Sequence, residues 1–122
     1  MTEQKGAIKH IINACFYSFN GIKATYNSEI AFRQDVVICC ALFLIALFLP
    51  VTFTLKILMV ISLFIILIAE LINTAIETIV DRISSDIHPL SKKAKDIGSA
   101  IVFFSFIQMI FVFLSAIIIA IK

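Results

Sequence analysis

The sequence has few of the residues that nucleotide-binding loops and soluble surfaces usually need. Its 122 residues include three glycines, two prolines and no tryptophan, and only 15% are charged. Three scattered glycines cannot build the glycine-rich loops that hold phosphates in P-loop proteins and protein kinases. Any nucleotide site must therefore be made of side chains. Without tryptophan, anchoring at a membrane surface would fall to Tyr17, Tyr26 and the basic residues.

Cysteine content and net charge exclude further classes of protein. Cys15, Cys39 and Cys40 form no C-x-x-C pair, and two of them lie in an apolar run. We interpret them as small packing residues without a redox or metal role. The net charge of +2 is too small to indicate a nucleic-acid partner.

Apolar residues dominate what is present, at 61% of the chain with a mean hydropathy of +1.10. A soluble protein of this length has too small an interior to bury them. Three apolar segments meet the requirement of about 20 residues for a membrane span. They cover residues 36–55, residues from 57 into an acidic segment, and residues 97–121. We predict an all-α membrane protein with one integral-membrane domain over residues 1–122 and spans at about 30–50, 54–83 and 91–121.

Residues 6–26 have the pattern of an amphipathic surface helix. Apolar residues recur at spacings of three and four and share one face. They are Ile8, Ile11, Ile12, Cys15, Phe16, Phe19, Ile22 and Tyr26. Lys9, His10 and Tyr17 fall on the other side. A basic amphipathic helix directly before a span is typical of one that lies on the cytoplasmic surface.

Polar breaks predict the helix boundaries and the orientation. Asn27 or Ser28 is expected to cap the first span, and Ser91 the third, after a break at Pro89. Four basic residues precede the first span and four lie between the second and third, whereas the link at Pro50 has none. The N-terminus and the 82–96 segment are therefore predicted to be cytoplasmic, and the C-terminus outside.

The most informative segment is E-L-I-N-T-A-I-E-T-I-V-D at 70–81, which continues the second span without a break. Its polar residues share one helix face within an arc of roughly 80°. They are Glu70, Asn73, Glu77 and Asp81. The row rises about 16 Å along the helix from the apolar region toward water. Acids within a membrane helix are costly and usually mark a functional site.

Several chemistries fit the charged residues expected near the cytoplasmic interface. These are Glu29, Asp35, Glu70, Glu77, Asp81, Asp86, Lys95 and Asp96. Acids without a Cys/His pattern suit a hard cation such as Mg²⁺, and Lys95 could bind a phosphate. Phosphoryl transfer to a lipid hydroxyl, a proton-coupled transporter and a structural acid at an oligomer interface all remain open. Glu29 alone could simply complement a helix dipole.

Four blocks of the sequence resemble the bacterial integral-membrane diacylglycerol kinase family over essentially the whole chain. They are the 70–81 segment, A-K-D-I-G-S-A at 94–100, E-I-A-F-R-Q-D at 29–35 and the Tyr17-Ser18 pair. The resemblance implies a homotrimeric helical bundle in the inner membrane, with its N-terminus cytoplasmic and its C-terminus periplasmic. It further implies transfer of the γ-phosphate of MgATP to the free hydroxyl of diacylglycerol, giving phosphatidic acid.

The resemblance also implies roles for individual residues. Glu70 would be the catalytic base, Asn73 would orient the site, and Asp81 would support it. Glu29 and Glu77 would hold Mg²⁺. The implied ATP contacts are His10, Tyr17, Glu29, Glu77, Asp86, His88, Lys95 and Asp96. The implied border of the lipid substrate is Ala31, Phe32, Arg33, Gln34, Asp35, Glu70 and Ser99.

The chain departs from the family pattern at two positions, and a sister branch offers another substrate. His10 stands where an Arg is common, and Asp35 where a Glu is common. The sister branch phosphorylates undecaprenol; His88-Pro89-Leu90 also occurs there, whereas Phe32-Arg33-Gln34 favours the diacylglycerol branch. We favour diacylglycerol. Small residues are expected to let helix backbones approach, namely Ala75, Gly98 and Ala100.

Overall fold

Four helices account for 92% of the residues that a computed structural model describes, which are residues 2–83 and 85–122. They are α1 (Thr2–Ser28), α2 (Ile30–Phe48), α3 (Phe53–Ile83) and α4 (Pro89–Ile121). No strand occurs in the described part of the chain. The predicted all-α architecture is confirmed, because α2, α3 and α4 are each long and apolar enough to cross a membrane.

The three membrane helices differ in length, and the two longer ones carry polar residues beyond the apolar core of the membrane. α2 has 19 residues, or about 28 Å, which matches the ~30 Å hydrocarbon core. α3 has 31 residues and α4 has 33, so both are long enough to extend beyond it. The acidic end of α3 and the basic start of α4 are joined by a short link. These two polar ends therefore project together.

The boundary between α1 and α2 is a single extended residue, Glu29, with φ −113° and ψ 111°. The prediction that Asn27 or Ser28 caps α2 was wrong, because both belong to the last turn of α1. Glu29 occupies the N-cap position without a side-chain capping hydrogen bond. Instead Arg33 reaches back from α2, and its Nη1 donates to the carbonyl oxygens of Tyr26 at 3.1 Å and Asn27 at 3.2 Å. Arg33 thus satisfies carbonyls at the C-terminal end of α1.

The uncharged window 36–55 is not one helix. α2 ends at Phe48, and Leu49 is extended with ψ 134°. The following Pro50 disfavours helical geometry in the residue before it, which explains the stop. Lys56, in the first turns of α3, donates from Nζ to the carbonyl oxygen of Leu47 at 2.7 Å. The link between the two spans is therefore held by a side chain from the helix that follows it.

α4 begins two residues before the predicted cap at Ser91. Its N-cap is His88, whose Nδ1 accepts a hydrogen bond from the backbone N–H of Leu90 at 3.1 Å. Pro89 occupies the first turn, where its fixed φ suits a helix and its missing N–H costs nothing. The expectation for Ser91 was wrong because His88 and Pro89 together start the helix earlier.

The core lies where α2 and α4 pack on α3. Its least exposed residues are Ala46, Met59, Ile66 and Ala116, all at 0%. Gln108 of α4 joins two helices by donating from Nε2 to the carbonyl oxygen of Ser62 in α3 at 2.9 Å. Of the small residues expected at contacts, Gly98 is buried and Ala75 and Ala100 are exposed within one chain. α1, by contrast, buries only Thr25.

Candidate active site

A buried carboxyl group begins the acidic half of α3. Glu70 lies about 26 Å along the helix from its start, near the end of a ~30 Å hydrocarbon core. Its side chain is only 7% exposed, and Asp35 of α2 is 6% exposed. Asp35 interacts with Glu70 most strongly among its acidic neighbours, followed by Glu77 and Glu29. The α2–α3 contact therefore places Asp35 beside Glu70, while Glu77 and Glu29 act on Glu70 only through their charges.

Asp35 leaves an unsatisfied acceptor at this point. Its Oδ2 is buried and has no hydrogen-bond partner within residues 2–83 and 85–122. A buried oxygen without a donor is costly, so a ligand that supplies a donor is favoured there. A hydroxyl group arriving between α2 and α3 can donate to either carboxyl group. The arrangement suits an alcohol substrate that enters from the membrane.

About one and two turns outward from Glu70, Asn73 and Glu77 form a hydrogen-bonded pair on the same helix. Asn73 Nδ2 donates to Glu77 Oε1 at 3.3 Å. Asn73 Oδ1 is buried and, among the described residues, lacks a partner. Gly98 of α4 lies directly against this oxygen. The orientation of the Glu77 carboxylate is thus set from within α3, by a side chain that α4 covers.

One ion pair connects the projecting ends of α3 and α4, and a second lies within α4. Lys95 Nζ lies 2.7 Å from Asp81 Oδ1, and Lys92 Nζ lies 2.7 Å from Asp96 Oδ2. Both pairs precede the apolar part of α4, which begins at residue 97. The carboxylate of Asp81 accepts a charged hydrogen bond from the Lys95 ammonium group and so favours its charged form. Lys95 is therefore a permanent cation at this end of the molecule.

A polar cleft opens between the end of α3 and the start of α4. Most of the predicted nucleotide contacts outside α1 line it, together with Asp81. They are Asp86, His88, Lys95 and Asp96. A cleft with a protonated lysine, a histidine and backbone turns can receive a phosphate group.

Other predicted residues are not brought to this cleft. Tyr17 is 71% exposed on α1, and His10 is exposed on the same helix. No Cα atom of α1 lies within 8 Å of one in α4. The predicted nucleotide contacts on α1 are therefore not joined to those in the cleft within one chain.

The residues predicted to border the lipid also differ in their surroundings. Phe32 and Asp35 are buried, whereas Ala31, Gln34 and Ser99 are exposed. Arg33 is half-buried and already bonded to α1 carbonyls. Of these residues, Asp35 is the one that interacts electrostatically with Glu70.

Comparison with known proteins gives the family. The prokaryotic diacylglycerol kinase family pattern matches residues 16–118. The chain belongs to the prokaryotic diacylglycerol kinase family. It is 39% identical over 107 residues to the diacylglycerol kinase of Escherichia coli K12, covering 88% of each chain. It is 43% identical over 96 residues to that of Haemophilus influenzae, covering 79% of this chain and 81% of the relative. With the Pseudomonas aeruginosa enzyme it shares 46% over 93 residues, or 76% of each.

Family membership makes this chain a lipid kinase, and its residues can be tested for fit to a magnesium ion. Within the described ranges no group of three or more His, Cys, Asp or Glu side chains is arranged to hold a metal. Mg²⁺ usually takes one or two carboxylates and completes its shell with water and phosphate oxygens. Glu77, held by Asn73, and Glu29, at the junction of α1 and α2, are carboxylates of the kind that such a magnesium ion takes.

Sequence reasoning missed two contacts of this kinase that arise only between helices. Lys95 pairs with Asp81 of α3, a partner on another helix that helical phase within α4 cannot indicate. Gly98 faces Asn73, although the spacing between them gives no sign of it. The glycine in A-K-D-I-G-S-A was the only signal, because a glycine inside a helix usually has a packing or functional reason.

Proposed function

We propose that this chain transfers the γ-phosphate of MgATP to the free hydroxyl of diacylglycerol, giving phosphatidic acid, as a homotrimer in the bacterial inner membrane. The observation that carries the proposal is the buried Glu70–Asp35 pair at the end of the apolar part of α3. A lipid hydroxyl can reach this depth, whereas a soluble acceptor would have to leave water. The family of lipid kinases supplies the reaction class.

In the proposed reaction Glu70 accepts the proton of the lipid hydroxyl group, and the oxygen of that hydroxyl group bonds to the γ-phosphorus. The bond from that phosphorus to the bridging oxygen of ADP breaks, and ADP leaves with the electron pair. Mg²⁺, held by Glu77 and Glu29, would neutralise charge on the phosphates. The Lys95 ammonium group binds a phosphate oxygen, either in place of its ion pair with Asp81 or in addition to it. Asn73 keeps the Glu77 carboxylate in place.

The separation of α1 from α4 supports a shared site in a homotrimer. His10 and Tyr17 belong to α1, and Lys95 and Asp96 to α4, and these helices do not approach each other in one chain. A neighbouring subunit can supply the missing helix. Within one chain, only 22% to 33% of the most apolar stretch of each span is buried. The remaining surface of the spans is available for contacts with other subunits. The basic residues beside α1 and α4 support a cytoplasmic location for both polar ends.

An assay of the purified protein in detergent micelles tests the substrate. Diacylglycerol and undecaprenol are offered separately with MgATP, and phosphate transfer to each lipid is measured. We expect faster turnover of diacylglycerol. Equal or faster turnover of undecaprenol would overturn the choice of lipid. Uptake driven by pH in proteoliposomes without ATP, with no lipid phosphorylated, would favour a proton-coupled transporter instead.

A further inference from the structure

Gly98 is the one glycine of the chain whose missing side chain matters to a neighbour. A Cβ atom placed there would collide with Asn73 Oδ1 and lie 3.3 Å from Asn73 Cγ. Cβ atoms placed at Gly6 or Gly21 would meet nothing within 4 Å. Gly98 therefore leaves a space that the Asn73 amide fills.

The chemistry of Glu77 determines which end of the amide fills that space. A carboxylate only accepts hydrogen bonds, so the amide nitrogen of Asn73 must point toward Glu77. The amide oxygen then points toward Gly98, where it is buried and has no donor in the described structure. None of the described residues holds the oxygen by a hydrogen bond. Its position depends on the room that Gly98 leaves.

We propose that Gly98 is a positioning residue for the metal site, acting through Asn73 on the Glu77 carboxylate. The inference rests on the proposed function, in which Glu77 binds the Mg²⁺ that accompanies ATP. A side chain at position 98 turns the amide away and breaks the bond from Nδ2 to Oε1. The Glu77 carboxylate then loses the orientation that Asn73 imposes.

The expected defect lies in metal binding and not in folding. The atom that a Cβ would strike first is the far end of a flexible side chain, which can rotate at little cost. Alanine is also a better helix former than glycine. Loss of a partner that orients a metal ligand typically lowers metal affinity or activity roughly 10- to 100-fold. Gly98→Ala should therefore fold normally and bind metal weakly.

The test uses the full-length protein in micelles and Mn²⁺ as a paramagnetic probe in place of Mg²⁺. Mn²⁺ binding in the presence of a non-hydrolysable ATP analogue is measured by electron paramagnetic resonance for Gly98→Ala, Asn73→Ala and the double variant. Gly6→Ala serves as the matched glycine control. Thermal unfolding of each variant is recorded, and Glu77→Gln reports separately on the proposed metal role.

We expect roughly 10- to 100-fold weaker Mn²⁺ binding for Gly98→Ala and Asn73→Ala. The double variant should bind no more weakly than Asn73→Ala, and Gly6→Ala should match the wild type. Wild-type binding by Gly98→Ala, an independent second loss in the double variant, or failure of Gly98→Ala to fold would each overturn the inference. Unchanged Mn²⁺ binding by Glu77→Gln would instead overturn the metal role in the proposed function.

Discussion

At the scale of the residue, Glu70→Gln separates proton transfer from packing. Glutamine has the same shape and suits a side chain that is 7% exposed, but it cannot accept the hydroxyl proton. General-base catalysis usually contributes about 10²- to 10⁴-fold. We expect kcat to fall at least roughly 100-fold while the KM for ATP changes little, measured as lipid phosphorylation in micelles. Glu3→Gln, at an exposed acid of α1, should retain activity. Normal phosphorylation by Glu70→Gln would refute the general-base assignment.

Lys95 offers a second residue-scale prediction, because a neighbouring lysine provides the comparison. Lys95→Met keeps most of the side-chain length and removes the cation proposed to bind phosphate. Loss of a charged hydrogen bond should raise the KM for ATP roughly tenfold or more. Lys93→Met removes a charge from a more exposed lysine two residues away and should leave that KM unchanged. Steady-state kinetics with varied MgATP would contradict the role of Lys95 if both variants had the same KM.

The identity of the acidic residues could be predicted at this scale, but their partners could not. Helical phase places Glu70 and Glu77 on one face, because that depends only on positions within α3. The burial of Glu70 beside Asp35 depends on how α2 packs against α3. The space that Gly98 leaves for Asn73 depends likewise on how α4 packs. Such contacts between helices have no periodic signature in a single sequence.

At the scale of the element, Gln108 makes a measurable link between α4 and α3. Its Nε2 donates to the carbonyl oxygen of Ser62 at 2.9 Å. Interhelical hydrogen bonds in membranes average about 0.6 kcal/mol and reach about 1.7 kcal/mol. Gln108→Leu should therefore lower the free energy of unfolding in mixed micelles by roughly that amount. Ser115→Ala removes a bond to Phe111 inside α4 alone and should cost less. Equal losses would show that the link does not stabilise the helix pair.

Helix existence was easier to predict than helix ends. Long apolar runs and one amphipathic pattern are properties of many residues together, so four helices followed from them. The ends depend on single local contacts. Arg33 bonds to the carbonyls at the end of α1, and His88 caps α4 before Ser91 is reached. The sequence offers several candidate caps at each break, and only the folded geometry selects one.

At the scale of the whole molecule, the surroundings of α1 bear on the proposed homotrimer. α1 exposes large apolar side chains, with Phe16 at 64% and Phe19 at 66%, and it approaches α2 and α3 but not α4. A membrane can cover some of this surface, but it cannot bring Tyr17 to the cleft that Lys95 lines. A site that uses residues from both helices therefore needs two subunits. Closed rotational symmetry would then create one such site at each interface.

Mixed trimers test this arrangement through complementation. Tyr17→Ala and Lys95→Met proteins are unfolded together, refolded as a mixture and assayed at low ATP. If each site takes Tyr17 from one subunit and Lys95 from another, about one site in four contains both native residues in an equal mixture. We therefore expect the mixture to exceed either variant alone.

The control mixture combines Lys95→Met with Asp96→Asn, whose positions are adjacent on α4 and belong to one subunit. Every chain in it carries a defect in the same cleft, so no site regains both residues, and activity should stay at the level of the separate variants. Recovery in both mixtures would show exchange of whole α4 segments between sites. Recovery in neither would show that Tyr17 and Lys95 act within one chain, contrary to the shared site proposed for the trimer.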